Sequence, residues 1–219
     1  MSRRLRMFID NMPYHIVHRG HNRTNCFKFE AVKGMFFSML CNKLDECGIK
    51  LHAFVLMSNH YHLLVTPQSG KEVPHFMQCL GRHFAGYYNA LNDKTGTVWD
   101  GKYFASLVEN DYYVLACYRY IELNPVRAGI VRTPDQYHWS SYHSNAGGLN
   151  SQIIVPHPSY EALGDNKFTR LRAYRELFNA DIDKAELQAI RQSLNKNMPC
   201  QSLIASSKQV QPEAMSISV

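Results

Sequence analysis

Long apolar runs are missing from this chain of 219 residues. None could span a bilayer, and the basic start, residues 1–6, is followed by no apolar stretch of the kind a secretion signal carries. The expectation is a cytoplasmic protein. Also missing is any C-x-x-C pair: Cys26, Cys41, Cys47, Cys79, Cys117 and Cys200 are scattered singly, which excludes a structural zinc site of the usual spacing and reads as reduced thiols. No segment repeats another. Carboxylates are in short supply, 18 against 24 Lys and Arg, for a net charge of +6 and a pI near 9.0. That balance favours polyanionic partners such as nucleic acid. The length suits one domain with an extension.

What is present falls into a short series of elements. Residues 14–19 alternate as a strand ending at Gly20, and a polar loop follows at 21–24. Residues 26–47 carry Phe29, Val32, Phe36, Met39, Leu40 and Leu44 at helical spacing and stop at Gly48. Two apolar strands, 51–57 and 60–66, are separated by Ser58 and Asn59, so they read as antiparallel neighbours. A second helix covers 71–91, residues 98–108 read as a strand pair or extended segment, and Asn110 or Asp111 caps a third helix running to Asn124, where Pro125 limits it. This order predicts an α+β fold, a ferredoxin-like split β-α-β sandwich whose antiparallel sheet carries helices on one face, plus a C-terminal helical extension. The domain reading is a main unit at 1–144, a Gly/Asn/Ser/Pro-rich linker (145–158) and helical extension to 194, and a patternless, disordered tail at 195–219.

Two constellations carry chemistry. His60-Tyr-His62 places two imidazoles at i and i+2, the same face of a strand, where both can reach one divalent first-row ion or, less typically, Mg²⁺. The bland alternative is a pair of histidines on a polar sheet face in a chain with 11 of them. The third helix holds Tyr112, Tyr113, Tyr118 and Tyr120, and a phenol oxygen can serve as a covalent nucleophile. Tyr120 shares a helix face with Asn124, and Arg127 extends that face if the helix survives Pro125; Tyr118 shares another with Glu122, and a carboxylate is the better ligand for a hard cation. Spacing leaves both pairs open.

The chain resembles the single-tyrosine HUH transposases, most of all the REP-associated tyrosine transposases. The resemblance rests on five motifs in order: Tyr14-His-Ile-Val-His-Arg-Gly-His-Asn-Arg23, Phe54-Val-Leu-Met-Ser-Asn-His-Tyr-His-Leu-Leu64, Trp99-Asp-Gly-Lys-Tyr103, Tyr120-Ile-Glu-Leu-Asn-Pro-Val-Arg-Ala128 and Trp139-Ser-Ser-Tyr142. It implies Tyr120 as nucleophile, with Asn124, four residues on, joining His60 and His62 in binding Mg²⁺ or Mn²⁺, and leaves Tyr118 and Glu122 structural. It further implies cleavage and rejoining of single-stranded or hairpin DNA from palindromic repeats through a 5′-phosphotyrosine, in a monomer or a homodimer that meets the nucleoid when bound to DNA.

The expected DNA contacts are Arg3, Arg4, Arg6, Arg19, Asn22, Arg23, Lys102 and Arg127, because guanidinium and ammonium groups neutralise phosphates. The alternative for each is a solvated basic surface. Trp99, Tyr103 and Trp139 could stack unpaired bases, though aromatics in strands and turns are more often core. After Tyr142 the resemblance fades, which leaves the extension to bind the hairpin, cover the site, or do neither. Two rival functions remain, a domesticated DNA-binding protein that has lost cleavage and a metal-dependent hydrolase with no covalent step.

Overall fold

The computed structural model describes residues 7–196; Arg3, Arg4 and Arg6 and most of the expected tail lie outside the described residues. Four strands, β1 (Tyr14–Arg19), β2 (Ile49–Leu56), β3 (His60–Pro67) and β4 (Phe104–Leu107), form one sheet in the order β2-β3-β1-β4 with every pairing antiparallel. The split β-α-β expectation is met, with α1 (Glu30–Glu46) and α2 (Glu72–Leu91) as the two crossovers.

Strand alternation sorts the side chains. Tyr14, Ile16, Tyr61, Leu63 and Val65 point to the face covered by α1 and α2, where Phe27, Phe36, Phe84 and Trp99 complete an aromatic core. Gly81 on α2 lets the Trp99 indole come close enough to donate its N–H to the Gly81 carbonyl at 2.8 Å; an added Cβ would meet that nitrogen at 3.4 Å. Trp99 also stacks on His18, with ring centroids 4.2 Å apart, so Trp99 and buried Tyr103 belong to the core rather than to an open stacking platform.

The opposite face carries Val17, Ala53, Val55 and Leu64, and it too is roofed by helices: α3 (Asp111–Glu122) and α8 (Lys184–Lys196), with Tyr160, Tyr174 and Ile182 filling the space between. α4 (Asn124–Arg127), α5 (Tyr142–Asn145), α6 (Pro158–Glu161) and α7 (Lys167–Glu176) are the remaining helices. The helical extension is therefore part of the second layer.

Besides shifts of one or two residues at other element ends, four features differ from the sequence expectation. α1 starts at Glu30, not at residue 26, because Cys26 and Phe27 are pinned in a core-filling turn by the Phe27 N–H bond to the Ser58 carbonyl at 2.8 Å. Within 98–108 only Phe104–Leu107 is a strand; the preceding residues form a loop anchored by Trp99. Pro125 does not end the helical path. It sits in the first turn of α4, where its missing N–H costs nothing, and the Arg127 N–H returns to the Leu123 carbonyl at 2.9 Å. Asn195 and Lys196, assigned to the tail, continue α8.

Glu122, fully buried at the end of α3, ties this layer together. Its carboxyl accepts from Ser141 Oγ (2.6 Å), Asn145 Nδ2 (2.8 Å) and Tyr174 OH (2.7 Å). Ser141 also bonds β2, accepting from the Phe54 N–H at 2.9 Å, while residues 139–141 and 154–155 hydrogen-bond the outer edge of β2. The Trp139-Ser-Ser-Tyr142 motif thus covers a sheet edge and fixes α3. Glu122→Ala would strand three buried donors, and at ~1–3 kcal/mol for each unpaired group a loss of about 3 kcal/mol or more is expected in urea unfolding. Burial pushes the Glu122 pKa up to about 7, against the donors that lower it. Between its unfolded value, near 4.5, and 7 the unfolded chain releases a proton that the folded protein keeps, so stability falls as pH rises through that window. Unfolding of Glu122→Gln at pH 5 and pH 8 should lack that part of the fall; an unchanged pH dependence would place the ionisation elsewhere.

Candidate active site

The strand pair β1–β3 sets the floor of the site. Register places Arg19 opposite His60 and Val17 opposite His62, and alternation sends His15, Val17, Arg19, His60 and His62 to the face beneath α3. The His60 and His62 rings lie 5.1 Å apart. Tyr120 reaches down from α3 in the same chain, its ring 5.7 Å from His62 and 5.5 Å from His15. Arg127, kept on the Tyr120 side by α4, holds its guanidinium 4.2 Å from the centre of the Tyr120 ring.

These groups open onto one cavity of about 460 Å³ lined by Arg19, His60, His62, Phe104, Tyr120, Asn124 and Arg127, with Arg191, Leu194 and Asn195 of α8 closing the far wall. Among the described residues no carboxylate lines it. Tyr118 and Glu122 point away from this cavity. Tyr118 is buried against Tyr160 and Tyr174, its oxygen accepting the His157 N–H at 3.3 Å, and Glu122 is spent on the hub. Of the expected DNA contacts, Arg19 and Arg127 reach the cavity. Asn22 and Arg23 are exposed on the turn after β1, and exposed Lys102 lines a separate groove with His18, Lys71 and Arg82.

The imidazoles are held neutral. Burial lowers His60 to about 4 and His62 well below the ordinary range, and in both cases neighbouring positive charge adds to it. Each engages its Nδ1 in a hydrogen bond. His60 Nδ1 donates to the Asn59 amide oxygen at 2.6 Å, the amide nitrogen being turned to the Arg23 carbonyl, and this leaves Nε2 with the lone pair. His62 Nδ1 meets His15 Nε2 at 2.9 Å, so Nε2 is again the remaining nitrogen. Among the described residues no trio of His, Cys, Asp or Glu forms a ready metal site; the donor set is two imidazoles with the Asn124 amide beside them. Two neutral imidazoles oriented by second partners, an amide oxygen and room for water fit a divalent first-row ion.

Sequence reasoning missed His15, Phe104, Arg191 and Asn195. His15 shares the strand face of Arg19, which alternation signals, but its contact with His62 depends on a register the sequence does not state. Arg191 and Asn195 are one turn apart on α8, with Leu194 beside them, and no local signal docks that helix here.

Residues 8–124 match the family model described as transposase IS200 like. No curated protein matches the chain. A solved structure of a REP-associated tyrosine transposase bound to a REP hairpin is similar at 17% identity and a TM-score of 0.59, with 72% of this chain and 93% of that one covered. A putative transposase from Deinococcus radiodurans R1 shares 20% identity over 52% of this chain and 91% of that one, with a TM-score of 0.38, too low for an argument from fold. At these identities the first likeness is one of fold.

Proposed function

We propose, given that the chain belongs to the IS200-like transposase family, that it is a metal-dependent single-strand DNA endonuclease and strand-transferase acting on palindromic hairpin DNA through a 5′-phosphotyrosine. The observation that carries this reading is the convergence of Tyr120, His60, His62 and Asn124 on one cavity within one chain. A monomer is then sufficient to assemble the site. The hairpin as substrate class is taken from the fold relative, whose structure holds one.

His60, His62 and Asn124 would hold Mg²⁺ or Mn²⁺, which when bound polarises a phosphodiester oxygen and offsets the charge growing on the phosphate. Tyr120 supplies the nucleophile. Its oxygen bonds to phosphorus as the bond to the 3′-oxygen breaks, the phenolic proton leaves to cavity water, and the released 3′-oxygen takes one up. Arg127, over the Tyr120 ring, stabilises negative charge on the attacking oxygen and fixes the ring's orientation. Reversal with a second 3′-hydroxyl rejoins the strand. Arg19 faces the same cavity and neutralises the bound phosphate backbone, and Asn22, Arg23 and Lys102 bind flanking DNA from outside it.

The test is incubation of the protein with single-stranded hairpin oligonucleotides from palindromes flanking its own gene, with Mn²⁺ or Mg²⁺, followed by denaturing electrophoresis and peptide mass mapping. An adduct on Tyr120 that chelator prevents is the expected result. Tight binding without an adduct under either metal would replace this reading with that of a DNA-binding protein. Tyr118→Phe should give the adduct at wild-type yield, because Tyr118 faces the α6–α7 side; its loss would reopen the choice of nucleophile.

A further inference from the structure

The wall that α8 contributes to the Tyr120 cavity has chemistry of its own. α8 is docked, not draped. Ile190 and Leu194 are buried in the second core, and Arg119 of α3 donates to the Ala180 carbonyl at 2.7 Å and faces Glu186 at 4.0 Å. That docking leaves Arg191 exposed on the cavity side, with Asn195 one turn further on. Arg19, Arg127 and Arg191 therefore line one cavity with no carboxylate among the described residues to balance them. Arg127 Nη1 is buried with no hydrogen-bond partner, a guanidinium N–H that the folded chain leaves unsatisfied. The three guanidinium groups repel one another across the cavity. An anion bearing several acceptor oxygens offsets that repulsion, and arginine suits phosphate because its planar fork can bind two oxygens at once through the N–H groups that face the cavity.

We infer that Arg191 of the C-terminal helix, together with Arg127, clamps a backbone phosphate of the DNA strand entering the Tyr120 cavity. This inference rests on the proposed DNA substrate but not on the covalent step. α8 is then a binding element of the site: the same docking that closes the hydrophobic layer delivers the second guanidinium. Arg191 acts as a positioning residue, holding the strand so that a neighbouring phosphate lies under Tyr120.

The test is hairpin binding by fluorescence anisotropy in EDTA, where no cleavage intervenes, across a salt series. For Arg191→Gln the slope of log affinity against log salt should shrink by about one relative to wild type, while Arg191→Lys keeps it. Lys184→Gln, an exposed charge at the other end of α8, controls for net charge. An Arg191→Gln slope equal to that of wild type, or a change no larger than that of Lys184→Gln, overturns the clamp. Inorganic phosphate is the free-anion arm. Displacement no better than chloride of equal ionic strength supports a strand phosphate, and displacement at low millimolar phosphate overturns that source. Whether wild type forms the Tyr120 adduct with Mn²⁺ is read separately, so a clamp without cleavage and cleavage without a clamp are distinct results.

Discussion

Replacing Tyr120 by phenylalanine is expected to abolish the covalent protein–DNA adduct, a fall of ~10³-fold or more, because deleting a nucleophile removes the bond-forming atom itself. Hairpin affinity and stability should change little. The ring is buried and touches His15 and His62 edge-on, contacts a phenyl ring reproduces, and the Arg127 guanidinium 4.2 Å from the ring centre loses its hydrogen bond to the Tyr120 hydroxyl but retains its cation–π partner. The comparison that gives the result its meaning is anisotropy on the same oligonucleotide. Unchanged binding with no adduct assigns the covalent step to Tyr120. Persistent strand cleavage would mean that water attacks, and the site would then be that of a hydrolase with a tyrosine in its wall.

How much of this was legible beforehand follows the range of the interaction. Period-2 alternation in residues 14–19 and 60–66 and the helical spacing of Phe36, Leu40 and Leu44 are local signals, and the four-stranded antiparallel sheet with its two crossover helices came from them. Helix spacing also put Tyr120, Asn124 and Arg127 in line, but it could not say whether the path survives Pro125; that depended on Pro125 falling in the first turn of α4, where its missing N–H is not needed. The choice between Tyr118 and Tyr120 was beyond spacing, since both lie on one helix and only the sheet beneath decides which side meets His60 and His62. Glu122 shows the same limit. A carboxylate is a good ligand in isolation, yet here burial and three donors from residues 19 to 52 positions away make it a structural hub. Least legible was the second layer of helices, because α8 docks through Ile190 and Leu194, whose pattern shows an amphipathic helix but names no partner.

The other large effect is expected at His62. His62→Ala should remove measurable Mn²⁺ binding in calorimetry of the DNA-free protein and the adduct with it, whereas His15→Phe should weaken Mn²⁺ affinity by about 10–100-fold, the range for a residue that orients a ligand. The reasoning runs through one hydrogen bond. For His62 Nε2 to hold a lone pair, Nδ1 must carry the proton and donate it to His15 Nε2 at 2.9 Å, which puts the His15 proton on Nδ1, an atom buried without a partner. The opposite tautomer pair, in which His15 donates to His62, leaves no N–H unpaired at His15 but occupies His62 Nε2 with a proton. Ion binding selects the first arrangement against the ~1–3 kcal/mol cost of a buried unpaired donor. Phenylalanine at position 15 keeps the ring beside Tyr120 and deletes the acceptor, so it separates orientation from packing. Calorimetry in which His15→Phe binds Mn²⁺ as tightly as wild type would show that His62 needs no partner to present Nε2. Loss as complete as that of His62→Ala would make His15 a ligand in its own right, alongside His60.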